Sequence, residues 1–216
     1  LLEGNKTLIS EFNTFGSPTD ESVRKEMTNL LNVRWSGWTG RYFTKLEGNE
    51  VPRWIITQYE SQYKEWNFTG SGFVFVNEED YVAVIDETKL TGKGLDFKLT
   101  ENGKDHFTSN LDTSYTYWFD IVESLDENEV MARYHLPIKD NATAELAEYG
   151  IPEQFPAVIH HQNSQYSTYY FAGDYADEAE VPEICHTEGI TAWKKAVEGK
   201  RSFYWSAYVP MMKEIL

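Results

Sequence analysis

The chain has 216 residues, of which 41% are hydrophobic and 25% charged, a balance that fits one globular domain with a substantial core and excludes disorder, collagen and coiled coil as readings of the whole chain. Its 35 acidic against 19 basic residues give a formal charge of −16, so phosphate backbones and anionic lipid surfaces are repelled and nucleic acid is a poor partner. Cys185 stands alone, which excludes an internal disulfide and a cysteine-rich zinc site, and no apolar run of about 18 residues is present to insert into a membrane.

Leu1-Leu2-Glu3-Gly4 reads as the last turn of a helix stopped by glycine. The expectation is a single domain over residues 1–216, cut from a longer chain that has lost its N-terminal part. A strand follows over Thr7 to Phe12. Ser17-Pro18-Thr19-Asp20 then opens a helix with a capping hydroxyl, proline at the first helical position and acid in the first turn, and Val23, Met27, Leu30 and Leu31 form its apolar stripe. The segment Trp35 to Phe43 is too rich in glycine and aromatics for a regular element. A second helix is expected from Pro52, with Ile55, Tyr59, Tyr63 and Trp66 on one face.

From Gly72 the period changes to two. Phe73 to Val76 and Tyr81 to Ile85 flank Asn77-Glu78-Glu79-Asp80 as a hairpin. Further strands are expected at Leu95 to Thr100, Tyr115 to Glu123, Val130 to Leu136, Ala157 to His161 and Thr168 to Ala172, the second and third of them paired across the acidic loop Ser124 to Glu129. A short helix from Thr143 to Tyr149 closes at Gly150. Phe203, Ala207, Met211 and Ile215 give a terminal helix that Pro210 kinks or delays. The fold class is α/β or α+β: a central sheet with flanking helices, and a β-rich C-terminal two-thirds built on hairpins.

In open α/β sheets ligands bind beyond the carboxyl ends of strands. Glu11, Asn13 and Thr14 sit at such a point after the first strand, and Glu11 suits a general acid, a base or a hydroxyl-binding carboxylate. Asn13 and Thr14 equally suit turn formation. Gly173-Asp174-Tyr175-Ala176-Asp177 ends a later strand and leaves two carboxylates three residues apart, though a glycine followed by aspartate is also an ordinary strand exit. Glu11 and Asp174 are the candidate catalytic pair, expected at one end of the sheet near Trp38 and Arg41. Asn13, Trp38, Arg41, Tyr42 and Asp177 are the candidate ligand-binding residues. The 7 Trp, 14 Tyr and 12 Phe include many in expected loops, where ring faces beside carboxylates suit carbohydrate; core packing is the commoner fate of such rings.

The acidic runs Asp120 to Glu129 and Asp174 to Glu183 read as solvated loops, or as calcium sites without the Asp-x-Asp-x-Asp-Gly signature. Cys185 and His186 are adjacent and cannot form a catalytic pair on a strand. His160 and His161 would face opposite sides of one, so no metal motif arises. No cofactor fingerprint is present.

The stretch from Gly4-Asn5-Lys6-Thr7-Leu8-Ile9-Ser10-Glu11-Phe12-Asn13 through Leu30-Leu31-Asn32-Val33 resembles the middle of a class I glutamine amidotransferase-like domain. Such flavodoxin-type domains accompany sugar-processing bacterial proteins, in some of them as non-catalytic modules. His186-Thr187-Glu188 is similar to that family's His-x-Glu pair, while the nucleophilic cysteine elbow is absent from this sequence. The resemblance implies a fold and no activity. Three functions follow as expectations: a non-catalytic glycan-binding module of an envelope or secreted protein, a glycan hydrolase using Glu11 and Asp174, and an assembly domain.

Overall fold

Apolar residues at alternate positions dominate from Gly72 to Ala172, and in this computed structural model that stretch supplies most of two β-sheets. The structure describes residues 6–16, 20–44, 46, 70–79, 81–108, 111, 113–175 and 203–216. The helix expected from Pro52, the helix end at Leu1 to Gly4, Asp177 and the Cys185 to Glu188 segment lie outside these residues.

Strands β1 (Lys6–Ser10), β5 (Leu95–Leu99), β6 (Thr113–Tyr115), β8 (Val130–His135), β9 (Gln154–Gln162) and β10 (Tyr166–Phe171) form a six-stranded sheet in the order β1-β10-β9-β8-β5-β6. Only its β1–β10 pair is parallel. Strands β2 (Val33–Phe43), β3 (Gly72–Asn77), β4 (Val82–Asp86) and β7 (Phe119–Ser124) form an antiparallel four-stranded sheet in the order β4-β3-β2-β7. The chain is thus a mixed α/β protein, rich in β structure, whose described strands divide between two sheets.

Aromatic rings fill the space between the sheets. Phe119 of β7 lies 6.3 Å and 6.1 Å from Phe73 and Phe75 of β3, 5.6 Å from Phe155 of β9 and 6.1 Å from Tyr134 of β8. Each ring so buried contributes about 1.5–3 kcal/mol through loss of apolar surface to water. A smaller apolar cluster, Phe43, Leu46, Val74, Val76 and Val84, occupies the other face of the four-stranded sheet, with Trp118 packed against it.

Helix α1 (Glu21–Leu31) starts where Asp20 accepts a hydrogen bond from the Ser22 amide at 2.8 Å. It buries Leu31 and packs Met27 on the core, whereas Val23, expected in the same stripe, is 42% exposed. Helix α2 (Glu101–His106) is capped by Thr100, and α3 (Asp140–Glu148) is followed by Gly150 at φ 70°, as expected for a glycine that closes a helix. A π-helical turn, Tyr204–Tyr208, leads into α4 (Val209–Ile215). Pro210 sits in the first turn of α4, where its missing N–H costs little.

Two expectations are corrected. The segment Trp35 to Phe43 is regular: it belongs to β2, which absorbs Ser36 and Gly37 in a bulge between Trp35 and Thr39, with Gly37 at φ 89°. Its glycines serve packing as well as turning, since a Cβ on Gly40 would lie 2.5 Å from the Phe119 ring and 2.9 Å from Phe75. Nor do β7 and β8 form a hairpin. Strand β7 pairs with β2 and β8 with β5 and β9, and the acidic link, held by the Leu125 amide on the Asn32 carbonyl at 3.0 Å, carries the chain from one sheet to the other.

Candidate ligand-binding site

Strands β1 and β10 run parallel in the register Lys6↔Tyr166 to Ser10↔Tyr170, so both release the chain at the same end of the sheet. Glu11 follows β1 directly, and Gly173-Asp174 follow β10. Asn13 takes a left-handed conformation, φ 63°, and Thr14 fastens the turn through its hydroxyl, 2.6 Å from Ser10 Oγ and 2.5 Å from the Glu11 carbonyl it donates to. The exit of β10 is tied to the other sheet: the Asp120 amide donates to the Ala172 carbonyl at 2.7 Å, and the Asp174 amide to the Trp118 carbonyl at 2.9 Å. A Cβ on Gly173 would lie 2.2 Å from the Tyr175 ring, so this crossing of chains requires glycine.

The carboxylate of Asp120 organises this junction. It is 1% exposed and accepts the Asn13 amide at 2.9 Å, the Tyr170 hydroxyl at 3.0 Å and the Thr39 hydroxyl at 2.8 Å. One buried side chain thereby joins the turn after β1 to β2, β7 and β10. Burial pushes its carboxyl up to about 6 against the pull of those three donors, and the charge of Asp174 adds to the rise. Asp120 begins the acidic run expected to be a solvated loop and also falls in the strand expected over Tyr115 to Glu123; it lies inside β7, between buried Phe119 and buried Ile121 and Val122. An aspartate inside an apolar strand is the signal that marks it.

Glu11 accepts a hydrogen bond from the Tyr208 hydroxyl, at the end of the π-helical turn. Burial, and then the bond to Glu11, hold the Tyr208 phenol well above its ordinary range. Arg41 lies on the same face of β2 as Thr39. Its guanidinium sits 4.3 Å over Tyr117, 5.0 Å over Phe43 and 5.6 Å over Trp118, and its buried Nε has no hydrogen-bond partner. Trp118 stacks in turn on Phe12, 6.5 Å away, which connects the arginine to the turn that carries Glu11 and Asn13.

No family model, curated protein or solved structure matches this chain.

Of the residues named from sequence, Glu11, Asn13, Arg41 and Asp174 belong to this connected group, Asn13 through its backbone amide. Trp38 and Tyr42 alternate with Thr39 and Arg41 along β2 and so face the opposite way. Trp38 is buried, its ring edge-on to Tyr149 at 6.1 Å, and Tyr42 is buried against Phe73 at 5.2 Å. Both serve the core between the sheets. Trp118, Tyr117 and Phe12 were not singled out beside Arg41, because only the pairing of β2 with β7 brings them together.

A second titratable cluster spans β9 and β10. His160 stacks on Tyr169 at 4.2 Å and bonds Ser167 at 2.9 Å, while His106 lies 5.0 Å from His160 and bonds the Tyr169 hydroxyl at 2.7 Å. Burial, then the neighbouring His106 and His161, push the His160 imidazole down to about 4. His161 turns instead to Glu129, at 2.7 Å. Among the described residues, no group of three or more His, Cys, Asp or Glu side chains is placed to hold a metal ion, and no helix is long and apolar enough to cross a membrane.

Proposed function

We propose that this chain is a non-catalytic glycan-binding module of a bacterial envelope or secreted protein. The observation that carries the reading is the Arg41 guanidinium seated over Tyr117 and Trp118 and connected through Phe12 to the end of the parallel β1–β10 pair. Ring faces accept the C–H faces of a sugar, and a guanidinium orients its hydroxyls. In this reading the six-stranded sheet is the central one, the helices flank it, and the resemblance to glutamine amidotransferase-like domains is carried by the stretch from Gly4 through Val33 and by His186-Thr187-Glu188.

Calorimetric titration of the chain with a panel of neutral and acidic oligosaccharides tests it. Binding to at least one class is expected, weakened about tenfold or more, roughly 1.4 kcal/mol, in a folded Trp118→Ala variant. No binding across the panel overturns the proposal. A hydrolase using Glu11 and Asp174 is the second reading, favoured by the parallel pairing that delivers both residues to one sheet end. Release of reducing ends by the native chain, lost in both Glu11→Gln and Asp174→Asn, would replace the binding module with that enzyme.

A further inference from the structure

Arg24, Arg34 and Arg133 each pair with a glutamate, Glu78, Glu123 and Glu127 respectively. Arg41 differs from them. Among the described residues it has no ion pair and no hydrogen bond from Nε, although 35 acidic residues in the chain could have supplied one. Leaving a buried donor unsatisfied costs about 1–3 kcal/mol, and native proteins tolerate it where an unseen group completes the bond. The three rings under the guanidinium hold its plane while making no use of its N–H edges.

We infer that Arg41 is the anion-reading position of the glycan site, and that the ligand is a sugar bearing a single carboxylate, a uronate. The inference rests on the glycan-binding reading above. A planar carboxylate matches the guanidinium fork in two parallel hydrogen bonds, which a hydroxyl cannot do. The sugar ring then lies beside the partly exposed Trp118 and Phe12, next to the arginine. One cation balances one carboxylate. A phosphate dianion or a run of sulfates would bring surplus negative charge to a chain of net charge −16.

The test is a side-chain NMR titration of the nitrogen-15-labelled chain, following the Arg41 Nε–H and Trp118 indole signals with glucuronate, galacturonate, their methyl esters, glucose, acetate and inorganic phosphate. A uronate is expected to move both signals, with its methyl ester and glucose weaker by about tenfold or more. Arg41→Lys, which keeps the charge and loses the fork, should lose the preference for uronate over ester while keeping the thermal midpoint of the native chain. Equal response to acid, ester and glucose leaves the glycan reading standing and overturns the uronate assignment. Acetate acting on Arg41 as strongly as uronate with Trp118 unmoved, or phosphate acting more strongly, also overturns it. If oligosaccharides bind in the calorimeter and no uronate moves Arg41, the assignment fails alone; if nothing binds in either experiment, both fail.

Discussion

At the scale of single residues, Asp120 is a carboxyl far from ordinary surface chemistry. Its carboxyl is raised from 3.8 to about 6, so its contribution to stability is fully present below about pH 4 and is lost as pH rises through 6. The size of that loss is about 3 kcal/mol, at 1.36 kcal/mol for each pH unit separating the folded and unfolded values. In Asp120→Asn the amide keeps the shape, the Thr39 hydroxyl can turn to accept from it, and no charge develops. The stability lost between pH 4 and pH 7 should therefore be smaller in the variant by that amount, measured by urea unfolding at several pH values. An unchanged loss would show that Asp120 is not the group that titrates.

At the scale of elements, what could be read from sequence was what depends on near neighbours. The hairpin of β3 and β4 follows from alternation around Asn77-Glu78-Glu79, α3 is marked at its end by Gly150, and the terminal helix follows from Phe203, Ala207 and Met211 at helical spacing. Glu11 and Asp174 stood out because both follow strands. Strand β2 was hidden by Gly37 and Gly40, which normally weaken strands, and the partner of β7 was misread because the true pairing, Gly40 with Phe119, joins residues far apart in sequence. Asp120 was hidden in the same way: the four elements that bury it meet only in three dimensions. Gly40 gives a direct check on this account. Gly40→Ala should lower stability by about 1–3 kcal/mol through forced displacement of the Phe119 and Phe75 rings, read as a lower denaturation midpoint. A neutral result would mean that the β2–β7 contact is looser than described.

At the scale of the whole molecule, the buried Asp120 and the half-buried His160 oppose each other. His160 is held down near 4, so the stability it contributes is present above its unfolded value of 6.5 and is lost as pH falls toward 4, whereas Asp120 gains over much of the same range. Their opposition should flatten the pH profile of the native chain. His160→Phe, which keeps a ring against Tyr169, should make the protein more resistant to acid, whereas Asp120→Asn, which stays uncharged, should raise stability near pH 7 and leave it unchanged near pH 4. A His160→Phe variant no more resistant to acid than the native chain, or an Asp120→Asn variant no more stable than it near pH 7, would contradict this balance.

The parallel pairing of β1 with β10 also constrains the order of events in biosynthesis. The first described strand cannot find its neighbour until Tyr166 to Phe171 has left the ribosome, and contacts so distant along the chain are the slowest to form. Lys6 to Ser10 must therefore wait through the synthesis of everything between the two strands before this pairing can form, and an unpaired strand edge is the part of a nascent chain most prone to join the wrong partner. Glu11, Asn13 and the crossing at Gly173 come together only when that wait ends. A nascent chain stalled before β10 would carry Arg41 and its rings without the acidic end of the sheet, and would be a client for chaperones before it could be a receptor for any ligand.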